Sequence, residues 1–206
     1  MIRSFKTEGI VIKRRNFGEL DRILSVFTKT NGKIQVRAPG VRRITSRRSS
    51  HIELLNFSIL TLYKSPRSLL PILTEAQTLE EFLPIKNNLP KVGFSYYICE
   101  LINRLCPENQ ENRRIFFLVR DTMFKLCNYS SSDQAKPESR EVWSLNSSRQ
   151  ARTISLDSII ENFEDEFLVM LGFLPKFHKV RDRQAFIEEI LESKLTTKRL
   201  LPLFLG

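Results

Sequence analysis

No stretch of this 206-residue chain is apolar for long enough to cross a bilayer. The longest run, Phe167 to Leu174, has eight residues with Gly172 among them, against the roughly 20 that a spanning helix needs. The opening residues Met1-Ile2-Arg3-Ser4-Phe5-Lys6 contain no apolar core of a signal peptide, so a cytoplasmic location is expected. Cysteine is scarce: Cys99, Cys106 and Cys127 form no C-x-x-C spacing and are odd in number, which argues against a disulfide framework and a zinc ribbon alike. Each lies within an apolar helical pattern and reads as a buried, reduced thiol. The two histidines, His51 and His178, have no neighbouring Ser, Cys or carboxylate arrangement that pairs a nucleophile with a base. Neither a G-x-x-x-x-G-K-[ST] nor a G-x-G-x-x-G run occurs, so nucleotide cofactors are not expected and an enzyme is disfavoured.

Acidic residues are short in one half only. Residues 1 to 80 carry 15 Lys/Arg against 6 Asp/Glu, while residues 81 to 206 carry 18 against 17. Nearly all of the formal charge of +10 is therefore N-terminal, and an anionic partner is implied for that half. Glycine divides in a related way, with Gly9, Gly18, Gly32 and Gly40 in the first forty residues and only Gly93, Gly172 and Gly206 after them. This predicts a turn-rich basic β domain over residues 1–80 and a near-neutral helical domain over 81–206.

Five β-type runs appear in the first part: Gly9 to Arg15, Arg22 to Thr28, Lys33 to Ala38, Ile52 to Lys64 and Leu69 to Gln77. Asn31-Gly32 predicts a type I′ hairpin between the second and third, with both turn residues at positive φ. In the third run Lys33, Gln35 and Arg37 alternate with Ile34, Val36 and Ala38, so one face packs while the other presents cations. The window Lys33 to Arg48 adds Arg42, Arg43, Arg47 and Arg48 and holds no acidic residue. Lys13, Arg14 and Arg15 form a second cluster. The plain reading of such charge is a solvated loop. Against it, a strand face and its adjoining loop line up into a stripe. Five strands in about eighty residues suit a Greek-key barrel of the OB type, which carries oligonucleotides on its second and third strands. Phe5, Phe17 and Tyr63 are candidate stacking platforms, although such aromatics more often pack a core.

Beyond Gln77 the apolar period becomes helical. Val92, Tyr96, Cys99, Ile102 and Cys106 mark a helix ended by Pro107. Asn109 is expected to cap the next, whose apolar positions are Ile115, Phe116, Val119, Met123 and Leu126. Ile160, Phe163, Phe167, Met170 and Leu171 mark a third, stopped by Gly172, and a weaker fourth runs from Ala185 to about Leu195. A bundle is expected. Between the second and third helices, residues 129–152 hold seven serines and the single tryptophan, Trp143, and read as a flexible loop. Glu161, Glu164 and Asp165 fall opposite Phe163 and Phe167, the ordinary place for solvated charge, so no metal site is expected there. Arg113, Arg114, Arg120 and Lys125 are candidates for meeting an acidic protein partner, with solvated helix charge as the plain alternative.

Several blocks carry a family resemblance. Lys6-Thr7-Glu8-Gly9-Ile10-Val11-Ile12, Asn16-Phe17-Gly18-Glu19-Leu20-Asp21-Arg22-Ile23-Leu24, Phe27-Thr28, Gly32-Lys33 and Gly40-Val41-Arg42-Arg43 resemble the N-terminal part of the RecO family of bacterial recombination mediators. Glu53-Leu54-Leu55-Asn56, Ile72-Leu73-Thr74-Glu75-Ala76, Ser95-Tyr96-Tyr97-Ile98-Cys99-Glu100-Leu101 and Phe163 through Pro175 extend it. The resemblance implies an α+β protein, an OB-fold barrel followed by a helical domain, without catalytic turnover. It implies binding of single- and double-stranded DNA, strand annealing, and action with RecR to load RecA onto strands coated by single-stranded-DNA-binding protein, whose acidic tail is recognised. Lys33, Arg37, Arg42 and Arg43 match the family's DNA-contacting positions. Many members carry a four-cysteine zinc site after the segment matching Gly172-Phe173-Leu174-Pro175, but here Lys176 to Arg183 contain no cysteine, so zinc is not expected. An RNA-binding OB protein is the alternative reading, and a structural adaptor a third.

Overall fold

The computed structural model describes residues 4–66, 68–130, 155–175 and 182–197. Five strands, β1 (Ser4–Phe17), β2 (Asp21–Thr28), β3 (Gly32–Ala38), β4 (Phe57–Tyr63) and β5 (Ile72–Glu80), close into a barrel in the order β1-β2-β3-β5-β4. All neighbours are antiparallel except β3 and β5, which meet in parallel at Arg37 and Ile72. Helices α1 (Leu83–Lys86), α2 (Leu89–Leu105), α3 (Arg113–Asn128), α4 (Leu156–Leu171) and α5 (Arg183–Leu191) follow. The expected architecture, a five-stranded OB-type barrel followed by helices, is the observed one.

β1 is long enough to serve two neighbours because it bends. Its first half pairs with β4, its second with β2, and a bulge lies between Val11 and Lys13. Val11, Leu24, Val26, Ile34, Val36, Leu60, Leu62 and Leu73 point into the barrel and form its interior core. Ile10, Ile12, Phe27 and Phe57 are buried too, but in a second core that they share with the helices. Strand alternation splits the two sets, so the apolar run Ile10-Val11-Ile12 reflects a barrel wall buried on both faces. Phe116 of α3 sits over that wall, its ring centroid 6.2 Å from Phe27 and 6.1 Å from Phe57. From Lys13 to Phe17 the same strand is exposed.

Several local expectations are corrected. The β2–β3 hairpin has the expected antiparallel register, Thr28 opposite Gly32, but its loop has three residues and only Gly32 takes a positive φ, 66°, so the type I′ turn, which needs two, is not formed. A Cβ on Gly32 would lie 1.8 Å from the Gln110 carbonyl oxygen, so the α2–α3 connection packs directly on this turn. The run Ile52 to Lys64 is not one strand: Ser50–Ile52 form a 3-10 turn and β4 begins at Phe57. Ile52 is instead buried in the barrel core, while the Asn56 amide donates to the Ser50 carbonyl. Asn112, not Asn109, caps α3, its side chain accepting from the Ile115 amide at 3.1 Å. Asn109 takes a left-handed turn, and its N–H donates to the Lys33 carbonyl at 2.8 Å.

Gly172 ends α4 at φ 85° as expected. Cys99 and Cys106 are buried free thiols and Cys127 is partly buried. Burial pushes the Cys99 thiol up to about 12. Glu164 is a correction: it is 2% exposed and accepts from the Tyr97 hydroxyl at 2.5 Å. The helical wheel placed it opposite Phe163 and Phe167, but Tyr97 of α2 meets it within the core. The segment around Trp143 and the stretch Lys176 to Arg181 lie outside the described residues. No described helix is long and apolar enough to cross a membrane.

Candidate nucleic-acid interface

The open wall of the barrel begins where the helices stop covering it. Register places Arg15 opposite Ile23 and Ile23 opposite Arg37, and residues directly across a ladder share a face. Lys13, Ser25 and Gln35 make the next row toward the helices. Arg15 and Arg37 are thus brought onto one outer surface by β1, β2 and β3.

Asp21 organises the edge of that surface. Its Oδ2 accepts from Arg37 Nε and Nη2 at 2.9 and 2.7 Å, and its Oδ1 accepts from the Gly40 amide at 2.8 Å. The Gly40 amide first, and then the Arg37 guanidinium, hold the Asp21 carboxyl below its ordinary value. Arg37 also lies over the Phe17 ring, 5.4 Å from its centroid, a cation–π arrangement. The Arg42 amide donates to the Leu20 carbonyl at 2.9 Å and its Nη1 to the Gly18 carbonyl at 3.1 Å. The β1–β2 turn and the β3–β4 connection are therefore stitched together at one end of the barrel.

The six cations between Lys33 and Arg48 play unequal parts. Arg43 and Arg47 are exposed, and their side chains make no hydrogen bond or ion pair among the described residues; the same holds for Arg15. Arg37 and Arg42 are exposed but tethered. Arg48 is partly buried, with Nη1 on the Leu73 carbonyl at 2.7 Å and Nη2 on the Pro39 carbonyl at 2.8 Å. It fastens the connection to β5. Arg14 shares Glu53 with Arg22 in an ion-paired cluster turned toward α2.

Lys33 is the clear departure from the expected stripe. Alternation alone puts it beside Gln35 and Arg37, yet it is 7% exposed and donates to the Asn103 carbonyl at 2.6 Å. Asn103 lies in the last turn of α2, whose carbonyls lack intrahelical partners. Lys33 therefore caps a helix instead of facing solvent, and burial lowers its pKa below the ordinary lysine value. Gln35 is drawn the same way, its amide donating to Glu108 at 2.8 Å.

Among the aromatics, Phe5 packs against the barrel core and Tyr63 is partly buried, whereas Phe17 is 45% exposed. The candidate partner-binding cations on α3 do not converge. Helical period puts Arg113 with Arg120 and Arg114 with Lys125, on faces about 100° apart. Arg113 pairs with Glu111 at 2.6 Å, and Arg120 with Asp121 at 2.7 Å while lying 4.8 Å from the Phe117 centroid. Arg114 and Lys125 are exposed. Sequence reasoning missed Asp21 as the organiser, because its link to Arg37 and Gly40 depends on sheet register and not on spacing along the chain.

Comparisons with known proteins agree in one direction. The family model described as "Recombination protein O N terminal" matches residues 1–82, and "Recombination protein O C terminal" matches residues 86–146. A DNA repair protein RecO from Dehalococcoides mccartyi is 35% identical over 161 residues, 71% of this chain and 63% of the relative. One from Roseiflexus sp. is 36% identical over 121 residues, 59% of this chain and 42% of the relative. One from Acetivibrio thermocellus is 33% identical over 121 residues, 59% and 47% of the two chains. The chain thus spans between 42% and 63% of the length of these relatives.

Proposed function

The chain belongs to the RecO family, and from that premise we propose that it serves DNA repair and recombination as a non-enzymatic mediator that binds DNA strands at the open end of its barrel. The observation that carries this reading is that Arg15, on the outer face it shares with the tethered Arg37, and Arg43 and Arg47, in the segment that the tethered Arg42 opens, are exposed with no ion pair among the described residues. Like charges held together cost stability unless a ligand neutralises them.

Binding works through phosphates. Each contact releases condensed counterions, so affinity for single strands falls with salt at a log-log slope of about 0.7 per contact. Contacts of this kind carry little sequence information, which suits a protein that must hold any two complementary strands. Lowering the repulsion between two strands on one cationic surface favours their annealing. Duplex DNA is bound by the same groups. Residues 1–80 form the nucleic-acid-binding unit of this proposal and residues 81–206 the unit that meets proteins. RecR, the acidic tail of single-stranded-DNA-binding protein and, indirectly, RecA are the partners this reading assigns to it, on the strength of the resemblance alone. Arg114 and Lys125, exposed on one face of α3, remain available for an acidic tail, whereas Arg113 and Arg120 are already paired. The setting is bacterial and cytoplasmic, at the nucleoid.

The test is oligonucleotide binding and annealing by the double variant Arg43→Glu, Arg47→Glu. Affinity for unrelated sequences should fall at least tenfold at low salt, with the salt slope reduced by more than 1. Unchanged affinity would remove the proposed site.

A further inference from the structure

Ile44 is fully exposed, at 105% of the reference area, in the middle of the cationic β3–β4 connection. Its side chain has no protein surface to rest on, yet its backbone is held on both sides. The Arg43 amide donates to the Gly40 carbonyl at 3.2 Å and the Ser46 amide to the Arg43 carbonyl at 3.0 Å. Arg42 ties the segment to Leu20, and Arg48 fastens its far end to β5. Phe17 and Leu20, 45% and 38% exposed, lie on the turn to which this segment is stitched. Ile44 therefore stands between the unpaired guanidinium groups of Arg43 and Arg47 on a segment tethered at both ends.

Phosphate binding alone gives no reason for that placement. A phosphate needs only cationic and hydrogen-bonding neighbours, whereas Ile44 places a stiff β-branched side chain between Arg43 and Arg47, where it makes no packing contact of its own. Single-stranded nucleic acid presents charged phosphates and unstacked apolar base faces in alternation, and proteins that bind it combine cationic tracks with side chains that contact base faces. Aliphatic residues also act as wedges between base steps. In an intact duplex the faces are hidden in the stack. We infer that Ile44 contacts the faces of unpaired bases, so that this surface discriminates unpaired strands from duplex. The inference rests on the reading of this barrel end as a nucleic-acid site.

The experiment uses the full chain and two fluorescent probes, an oligodeoxythymidine strand and a blunt hairpin duplex with the same number of phosphates. A third strand carries 2-aminopurine, whose emission reports base unstacking. Ile44→Ser should bind the single strand about tenfold more weakly and lose the 2-aminopurine response, with duplex affinity and salt slope within twofold of the parent. Ile44→Leu should keep most of both signals. Because the side chain touches nothing in the fold, the melting temperature of either variant should match the parent. Equal single-strand affinity in Ile44→Ser and the parent would overturn the inference while leaving the phosphate site standing. Equal weakening toward strand and duplex would also overturn it, marking Ile44 as a shaper of the loop. Absence of binding by the parent chain to any probe would instead sink the nucleic-acid reading itself.

Discussion

Tyr97 of α2 and Glu164 of α4 meet at 2.5 Å in the helical core, the tyrosine fully buried and the carboxylate 2% exposed. A buried carboxylate is tolerated only with donors around it, and Tyr97 supplies one. The pair therefore ties α4 to α2 within the helical core.

Tyr97→Phe should lower unfolding free energy by about 1–3 kcal/mol, the cost of leaving a buried polar group short of a partner. Urea denaturation would measure it. The pH dependence separates this from simple loss of packing. Burial first, and then the neighbouring Glu164 charge, raise the Tyr97 pKa well above the ordinary 10.0. A group whose folded pKa is raised contributes stability below its unfolded pKa and loses it as pH climbs toward the folded one. The parent protein should therefore lose stability above about pH 10 more steeply than Tyr97→Phe.

Asp21→Asn tests the stitch between the two loops. The pKa of Asp21 is lowered by the Gly40 amide and by Arg37, so the carboxylate contributes stability above its unfolded pKa, lost as pH falls through the folded one. Arg37 is about half exposed, which keeps the ion-pair share small. The variant should be less stable by about 1 kcal/mol at neutral pH, and the difference should shrink below about pH 4. Freed from Asp21, Arg37 should bind single strands more tightly at low salt. Fluorescence melts from pH 3 to 7, with binding isotherms beside them, would check both.

Lys33→Met separates structural from ligand-facing cations. The methionine keeps the chain length but leaves the Asn103 carbonyl without its donor, costing about 1–2 kcal/mol. Because the Lys33 ammonium is enclosed at the end of α2, the salt slope of strand binding should not change. A slope reduced as much as in the Arg43 and Arg47 double variant would contradict the assignment of Lys33 to the fold.

The parts of the molecule legible in the sequence are those governed by local period. Alternation in Lys33 to Ala38, the Asn31-Gly32 turn and the apolar stripes of α2, α3 and α4 each report a repeat that the backbone imposes. What was not legible depends on elements distant in the chain. Alternation puts Lys33 and Arg37 on the same face, but only the arrival of α2 at the lower half of that face decides that one is buried and the other free. Glu164 is misplaced by its helical wheel for the same reason, since a wheel knows one helix and not its neighbours. The basic window was visible as composition, yet its division into Arg48 that fastens, Arg37 that is tethered and Arg43 and Arg47 that stand open follows from carbonyls and carboxylates 9 to 25 residues away.

The bulge in β1 sets a reading frame for everything after it. With Ile12 as the extra residue, Lys13 faces Ser25 and Arg15 faces Ile23; were Ile12 paired in a regular ladder instead, every later side chain would turn over. Pairing Ile12 regularly would send Arg15 and Phe17 toward the barrel interior and Arg14 and Asn16 outward, exchanging the cationic edge for a frustrated core with no change of composition, whereas deleting Ile12 would leave every later pairing in place and remove only a buried side chain. Insertions and deletions between Lys13 and Phe17 should therefore be tolerated only in pairs, whereas loss of Ile12 alone keeps the cationic edge on its own face.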